Sequence, residues 1–129
     1  MKRFFTLLVA LAAFGMSSSA LAQAVIKFDK TSHNFGTFKE ADVQTYVFTF
    51  TNTGDKPLVI QQAFSSCGCT VPEYTKKPIM PGKTGQISVT YNGKGKFPGP
   101  FRKSVTIRSN ATNAMVRIYV EGTMDNAQK

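Results

Sequence analysis

Two cysteines separated by one glycine, Cys67-Gly68-Cys69, form the arrangement in this sequence whose residue types suggest chemistry. A disulfide across a single intervening residue closes too short a loop to add much chain-entropy stabilisation. Such a bridge is also cramped, and cramped bridges are reduced more readily than ordinary structural ones. Gly68 favours the closure, because a residue without Cβ adopts tight backbone conformations at little steric cost. The spacing therefore argues against an ordinary structural bridge.

Three interpretations of Cys67 and Cys69 stay open from the residues alone. The two small apolar side chains could serve packing only, at the end of a strand. They could form a dithiol/disulfide pair that exchanges electrons or caps a thiol of a partner. Their sulfur atoms could instead bind Cu(I) or a similar soft ion.

A larger metal centre would need more ligands than the two cysteines. The chain has one histidine, His33, and Met80, Met115 and Met124 are the methionines after residue 22. Cys67, Cys69 and His33 together are one short of the four ligands of a tetrahedral zinc site. We therefore expect no metal and no cofactor, and we interpret His33 as a structural residue at a strand edge.

The sequence lacks the usual catalytic patterns. A serine–histidine–acid triad would have to use His33, and the Gly-x-Ser-x-Gly elbow is missing. The run Gly93-Lys94-Gly95-Lys96 lacks the Gly-Lys-Ser/Thr ending and the following helix of a phosphate-binding loop. We therefore expect no catalytic residues and no enzyme activity.

The first 22 residues are typical of a cleavable secretion signal. Lys2 and Arg3 form a basic start, residues 4–15 are apolar, and Ala20-Leu21-Ala22 fits the signal peptidase site. The apolar run is short for a membrane span, which needs ~20 residues, although an uncleaved anchor is the alternative. We expect an exported domain starting at Gln23, without a transmembrane segment, in the periplasm or at the cell surface.

The charge balance is basic. The chain has 16 Lys and Arg against 7 Asp and Glu, and cleavage after Ala22 leaves an excess of seven positive charges. Such a charge keeps a small domain soluble and also suits an anionic partner. Arg102, Arg108 and Arg117 are expected on outward strand faces, as a solvated surface or as a docking stripe. We expect no nucleic-acid partner, because no dense basic run interleaved with aromatic residues is present.

After the signal, apolar and polar residues alternate with the period of a β-strand. The alternating runs are residues 25–28, 32–38, 43–51, 58–61, 86–92, 104–108 and 116–121. Strands with one apolar face need two sheets packed face to face. We predict an all-β, immunoglobulin-like β-sandwich of about seven strands over residues 23–123, followed by a polar tail over residues 124–129. A closed barrel of about eight strands is the alternative.

The longest connection between these runs, residues 65–82, contains the Cys-Gly-Cys motif. A connection of this length in a small domain is more often functional than idle. Part of it could pair as a short strand.

Several short motifs resemble one bacterial family. They are His33-x-Phe35-Gly36, Phe48-x-Phe50-x-Asn52-x-Gly54, Ser66-Cys67-Gly68-Cys69-Thr70 and Pro81-Gly82. In this order, over residues 28–122, they resemble the exported family catalogued as domain of unknown function 1573. The resemblance implies an immunoglobulin-like sandwich similar to pilus chaperones and major sperm protein, with Cys-Gly-Cys-Thr as its hallmark.

The same resemblance implies that Phe35, Gly36, Asn52 and Gly54 shape the fold. The family often has Asp after the histidine where this chain has Asn34, which disfavours any scheme in which an acid partners the histidine. The family name assigns no activity, and one fold can serve many functions.

These observations favour a non-catalytic binding or assembly module of the bacterial cell envelope with a protein partner. The edges of such sandwiches can pair with an added strand. The alternative is a thiol–disulfide redox or Cu(I)-handling protein that acts through Cys67 and Cys69.

Overall fold

The computed structural model describes residues 23–125, which form eight β-strands in two sheets. The strands are β1 (Ile26–Phe28), β2 (Ser32–Lys39), β3 (Gln44–Asn52), β4 (Ile60–Phe64), β5 (Thr70–Tyr74), β6 (Thr84–Tyr91), β7 (Gly99–Ser109) and β8 (Met115–Asp125). The first sheet has the order β1-β3-β6-β5 and the second β2-β8-β7-β4. The predicted β-sandwich is confirmed, with one strand more than the alternation indicated.

The predicted signal peptide, residues 1–22, lies outside the described residues. Nothing in residues 23–125 forms a helix with the length and apolar character needed to cross a bilayer.

The additional strand is β5, which lies inside the long connection that contains the cysteine motif. It pairs antiparallel with β6 at the edge of the first sheet, with Pro72 opposite Val89. The Cys69 carbonyl accepts the Asn92 N–H and the Thr75 N–H donates to the Gln86 carbonyl. The alternation of an antiparallel ladder between these two pairs turns the Pro72 nitrogen toward the free edge. Proline is tolerated there because no ladder donor is lost. A short strand containing proline has little alternation to reveal it in the sequence.

The chain changes sheets between β1 and β2. β1 pairs antiparallel with β3, whereas β2 pairs parallel with β8 and has an irregularity between Asn34 and Thr37. Gly36 adopts φ 76° at this irregularity, a conformation that residues with a side chain rarely adopt. The Asn34 side-chain oxygen accepts the Gly36 N–H at 2.7 Å. Gly36 therefore shapes this edge of the fold, as the family resemblance implied.

The inner faces of the two sheets form the main apolar core. The predicted inward face of β6 is confirmed, since Ile87, Val89 and Tyr91 are all buried. Ile87 and Val89 belong to this main core, whose other buried members are Ala24, Ile26, Phe48, Phe50, Leu58, Ile60, Ile79, Val105, Ile107, Ala111, Ile118 and Val120.

A second, smaller core lies at one end of the sandwich and consists of Phe38, Cys69, Tyr91 and Met124. Met124 is 2% exposed and belongs to β8. The sequence pattern predicted it in the C-terminal tail, because its neighbours are polar. The strand extends through Asp125 because Met124 continues the inward alternation and packs under this second core. Strand β8 therefore runs two residues past Thr123, and residues 126–129 of the predicted tail lie outside the described residues.

Asn52 is a buried hydrogen-bonding centre at the other end of the sandwich, with no exposed surface. Its side-chain oxygen accepts the N–H groups of Val25 at 3.3 Å and Gly54 at 2.9 Å. Its side-chain nitrogen donates to the carbonyls of Lys56 at 2.7 Å and Ile79 at 2.9 Å. One amide thus joins the N-terminal segment to two loops, which gives Asn52 the structural role that the resemblance implied.

Replacing Asn52 by alanine removes four hydrogen bonds and leaves buried backbone groups without partners. We expect Asn52→Ala to lower the free energy of unfolding by about 3 kcal/mol or more, measured by urea denaturation. The matched control is Asn34→Ala, which removes one exposed hydrogen bond and should cost less than about 1 kcal/mol. Equal losses in the two variants would contradict this role of Asn52.

Candidate functional site

Three connections meet at the end of the sandwich that contains the second core. They are residues 40–43 before β3, residues 65–69 between β4 and β5, and residues 92–98 between β6 and β7. The strand registers bring them together, because Tyr91 pairs with both Gln44 and Thr70. We call this group of connections the disulfide end.

Cys67 and Cys69 are joined by a disulfide at this end, with their Cα atoms 5.2 Å apart. Cys69 is 7% exposed and packs in the second core, whereas Cys67 is half-buried at its margin. The backbone N–H of Cys69 donates to the Cys67 sulfur at 3.2 Å. The bridge therefore has one accessible side and one side anchored in the protein.

The buried side of the bridge contacts an aromatic cluster. Tyr91 stacks on Phe101 with ring centroids 4.0 Å apart, and Phe38 meets both rings edge-on. Burial raises the pKa of the Tyr91 phenol, so the hydroxyl stays neutral at physiological pH. The cluster gives Cys69 an apolar support formed by residues outside the Cys-Gly-Cys motif.

Gly68 differs from its sequence-based interpretation. It is not among the glycines with positive φ, and a Cβ added to it would have no atom within 4 Å. The bridge therefore closes without the conformational freedom of glycine. Gly68 instead leaves open space next to Cys69, in a cavity that both residues line.

The run Gly93-Lys94-Gly95-Lys96 borders the disulfide. An open cavity of about 320 Å³ is lined by Gly68, Cys69, Asn92, Lys94 and Lys96. Asn92 shapes the loop, since its side-chain oxygen accepts the Lys94 N–H at 3.0 Å. The run is a turn, as its sequence indicated, and its two lysines line the same cavity as Cys69.

Phe97, at the tip of the same loop, is 96% exposed. Sequence reasoning missed it, because one aromatic residue between Gly and Pro residues gives no periodic signal. Val43, on the neighbouring connection, is 50% exposed. The disulfide end thus presents apolar side chains to solvent next to its lysines.

His33 does not join the cysteines. Its ring stacks on Tyr46 at 3.7 Å between centroids and meets Phe35 edge-on. Burial, followed by the nearby Lys30 charge, lowers the pKa of His33. His33 therefore serves as a neutral aromatic surface that bridges β2 and β3, consistent with a structural role.

The described part of the chain has no cluster of side chains arranged to bind a metal ion. Within residues 23–125, no three side chains among His, Cys, Asp and Glu are placed to hold one ion. In the bridged state neither Cys67 nor Cys69 is a thiolate, which is the form that binds soft metals.

The three predicted outward arginines all lie on the exposed face of the second sheet, although they are not equivalent. Arg102 lies over the Tyr119 ring at 4.3 Å, and its Nε is 4.0 Å from a Glu121 carboxylate oxygen. Arg117 on β8 pairs with Thr106, two residues along β7 from Arg108, so the two arginines are diagonal neighbours. Arg102 thus has a carboxylate neighbour on the same face of the sheet.

Comparisons with known proteins identify the family and the fold. A family model described as a protein of unknown function, DUF1573, matches residues 26–124. No curated protein sequence is similar enough to count as a relative.

Solved structures share the fold at low sequence identity. A protein of unknown function from Porphyromonas gingivalis is 15% identical with a TM-score of 0.69, over 84% of this chain and 51% of that one. The chain thus spans about half the length of that protein. PapD-like domain 7 of human CEP192 is 9% identical with a TM-score of 0.60, over 82% and 89% of the two chains. The periplasmic chaperone SfaE is 11% identical with a TM-score of 0.55, over 79% and 58%.

Opening the disulfide should cost little stability. For a closed loop of about three residues, the chain-entropy relation gives about 1.5 kcal/mol, and the second core remains packed. We expect reduction, or the double variant Cys67→Ala/Cys69→Ala, to lower the free energy of unfolding by about that amount. Urea denaturation with circular dichroism measures this. Loss of the cooperative β-sheet transition on reduction would show instead that the bridge holds the fold.

Stability should also depend on protonation of His33. Because its pKa is lowered on folding, the unfolded chain binds the proton more readily. The contribution of His33 to the free energy of unfolding is therefore complete above its pKa in the unfolded chain, near 6.5. It is lost as the pH falls through the lower pKa of the folded state. We expect the melting temperature to fall between pH 7.5 and 5.5 in the wild type. The fall should be smaller in His33→Phe, which keeps an aromatic ring but cannot take a proton. Identical pH profiles would contradict the assignment.

Proposed function

The chain belongs to the DUF1573 family, and we propose that it is a non-catalytic binding module of the bacterial cell envelope that docks a protein partner through the disulfide end. The single observation behind this proposal is Phe97, almost fully exposed on a loop whose lysines line a cavity beside the disulfide. Aromatic side chains are enriched in protein interfaces and often contribute much of the binding energy. An exposed phenylalanine at a loop tip is well suited to enter a partner's pocket.

The loop that presents Phe97 is held in place by hydrogen bonds. The Lys96 N–H donates to the Gly93 carbonyl at 2.9 Å, and the Gly95 N–H donates to a Glu40 carboxylate oxygen at 2.8 Å. A loop ordered before binding loses less conformational entropy on docking. The connection before β3 thereby supports the loop that follows β6.

The sheet edges favour docking through the loops over docking by strand addition. Asn113 bonds both backbone groups of Ile26 on β1, at 3.2 and 2.8 Å. The irregularity at Gly36 interrupts β2, and Pro72 removes an outward donor from β5. Such devices protect edges from pairing with another chain. The remaining edge, β4, leads directly into the disulfide loop.

The fold and the predicted signal peptide also support a binding module of the cell envelope. Sandwiches of this class occur in periplasmic chaperones such as SfaE, which supports the fold alone at this identity. The placement in the cell envelope rests on the predicted signal peptide. The non-catalytic character rests on the missing catalytic patterns in the sequence.

Site-specific cross-linking in living cells tests the proposal. A photoreactive phenylalanine analogue is placed at position 97, and the matched control is the same analogue at position 80, where Met80 is 52% exposed at the opposite end. We expect a discrete protein adduct from position 97 that position 80 does not give. The variant Phe97→Ser should weaken binding of the adduct partner at least about tenfold, which is the scale of one interface anchor. No position-specific adduct, or the same adduct from both positions, would count against the proposal.

A further inference from the structure

We propose that the Cys67–Cys69 bridge is a thiol-exchange site. A thiolate that bears a neighbouring carboxylate attacks the Cys67 sulfur, and Cys69 is the leaving thiolate. This inference goes beyond the docking proposal and does not depend on it, because exchange with a small thiol needs no protein partner.

Accessibility selects the sulfur that is attacked. Thiol–disulfide exchange requires the incoming thiolate to reach one sulfur along the bond. Cys69 is buried against Phe38, Tyr91 and Met124, whereas Cys67 is half-buried at the margin of that core. Attack therefore occurs at Cys67.

The surroundings of Cys69 favour its departure as a thiolate. The Thr70 hydroxyl lies 3.6 Å from the Cys69 sulfur, where it can donate to a developing negative charge. Lys94 and Lys96 line the same cavity as Cys69. Nearby cations lower the pKa of a thiol, and a thiol of lower pKa leaves faster.

The cavity also indicates the class of thiol. Its two charged lining residues are both lysines. The Glu40 carboxylate, which accepts the Gly95 N–H, keeps its negative charge but is not part of the lining. Cys67 does not line this cavity, so the lysines act at a distance: their charge attracts an anionic thiol to this end of the domain and stabilises the thiolate that leaves at Cys69. The chemistry fits a small acidic peptide thiol better than a cationic one.

The reaction balances as follows. The incoming thiolate forms a bond to the Cys67 sulfur, the Cys67–Cys69 bond breaks, and Cys69 takes the electron pair as a thiolate. A second thiolate attacks the incoming sulfur and releases Cys67, so two thiols become one disulfide and the protein gains two electrons. Alternatively, Cys69 attacks the Cys67 sulfur, expels the first thiolate and restores the bridge.

The second core favours reversible exchange. Cys69 is held there by packing against Tyr91 and Met124, independently of the bridge. The released thiolate therefore stays next to Cys67, and a reactive group held in place has a high effective concentration. The site can thus capture a thiol covalently and release it again.

The first arm of the test locates the attack. The purified wild-type protein is mixed with glutathione, quenched in acid, alkylated and fragmented in the mass spectrometer. We expect glutathione on Cys67 and the alkyl group on Cys69 in most of the mixed-disulfide molecules. The variant Cys69→Ser, treated with oxidised glutathione, should form a stable adduct at Cys67, with circular dichroism as the check on folding. Glutathione mainly on Cys69, or no exchange by folded protein, overturns the proposal.

The second arm tests the role of the lysines. Exchange rates are measured with glutathione, which is anionic, and with cysteamine, which is cationic. In Lys94→Gln/Lys96→Gln, the ratio of the two rates should fall at least about threefold at low salt. The matched control, Lys76→Gln/Lys77→Gln at the opposite end, should keep the wild-type ratio. An unchanged ratio in the first double variant refutes the proposed recognition of the carboxylate.

The third arm tests the path of approach. Gly68→Leu adds a side chain where the structure offers open space, so the fold should be retained. We expect this variant to slow exchange with glutathione while the free energy of unfolding changes little. Exchange at the wild-type rate would contradict approach over Gly68. Failure of these arms would leave the cross-linking at Phe97 unaffected, so the two proposals are tested separately.

Discussion

The buried amide of Asn52 is the constraint on which much of this sandwich depends. Besides its four side-chain hydrogen bonds, its backbone N–H donates to the Lys83 carbonyl at 2.9 Å, and its carbonyl accepts the Gly82 N–H at 2.8 Å. Gly54 is part of the same arrangement, because a Cβ there would overlap the backbone of Gln23. Buried polar groups must be paired, and here one residue pairs the groups of three segments. This end of the domain is therefore committed to holding the fold.

The opposite end is organised differently. There an aromatic cluster supports the Cys67–Cys69 bridge, and the loops around it present lysines and an exposed phenylalanine to solvent. Cys69 is held by packing in the second core, so the bridge is not needed to anchor the residues around it. The hydrogen bonds of Asn52 stabilise one end of the domain, and the other end exposes the disulfide, the lysines and Phe97 to solvent. Both proposals concern groups at the disulfide end, which are not needed to hold the two sheets together.

Much of the fold was predictable because burial in a two-layer sandwich imposes a period of two on each strand. The inward face of β6, with Ile87 and Val89, is an example. The long connection was expected to contain at most a short paired strand, and β5 is that strand; its bounds could not be predicted because Pro72 and the adjoining cysteines give no alternation. Met124 was assigned to a tail because its neighbours are polar, whereas the strand continues where the second core can bury it. Short or terminal strands are defined by their partners more than by their own residues.

The class of fold and the cysteine pair as the candidate site follow from the residues alone, and a family resemblance points to the structural importance of Asn52 and Gly54. Three features depend on how the strands assemble: which sulfur is more exposed, that Lys94 and Lys96 line a cavity with Cys69, and that Phe97 is exposed. The tertiary structure also placed His33 in an aromatic stack away from the cysteines. The physical reason is that alternation records which face of a strand is buried. The meeting of loops at one end depends on strand order and register, which arise from contacts between residues far apart in the chain.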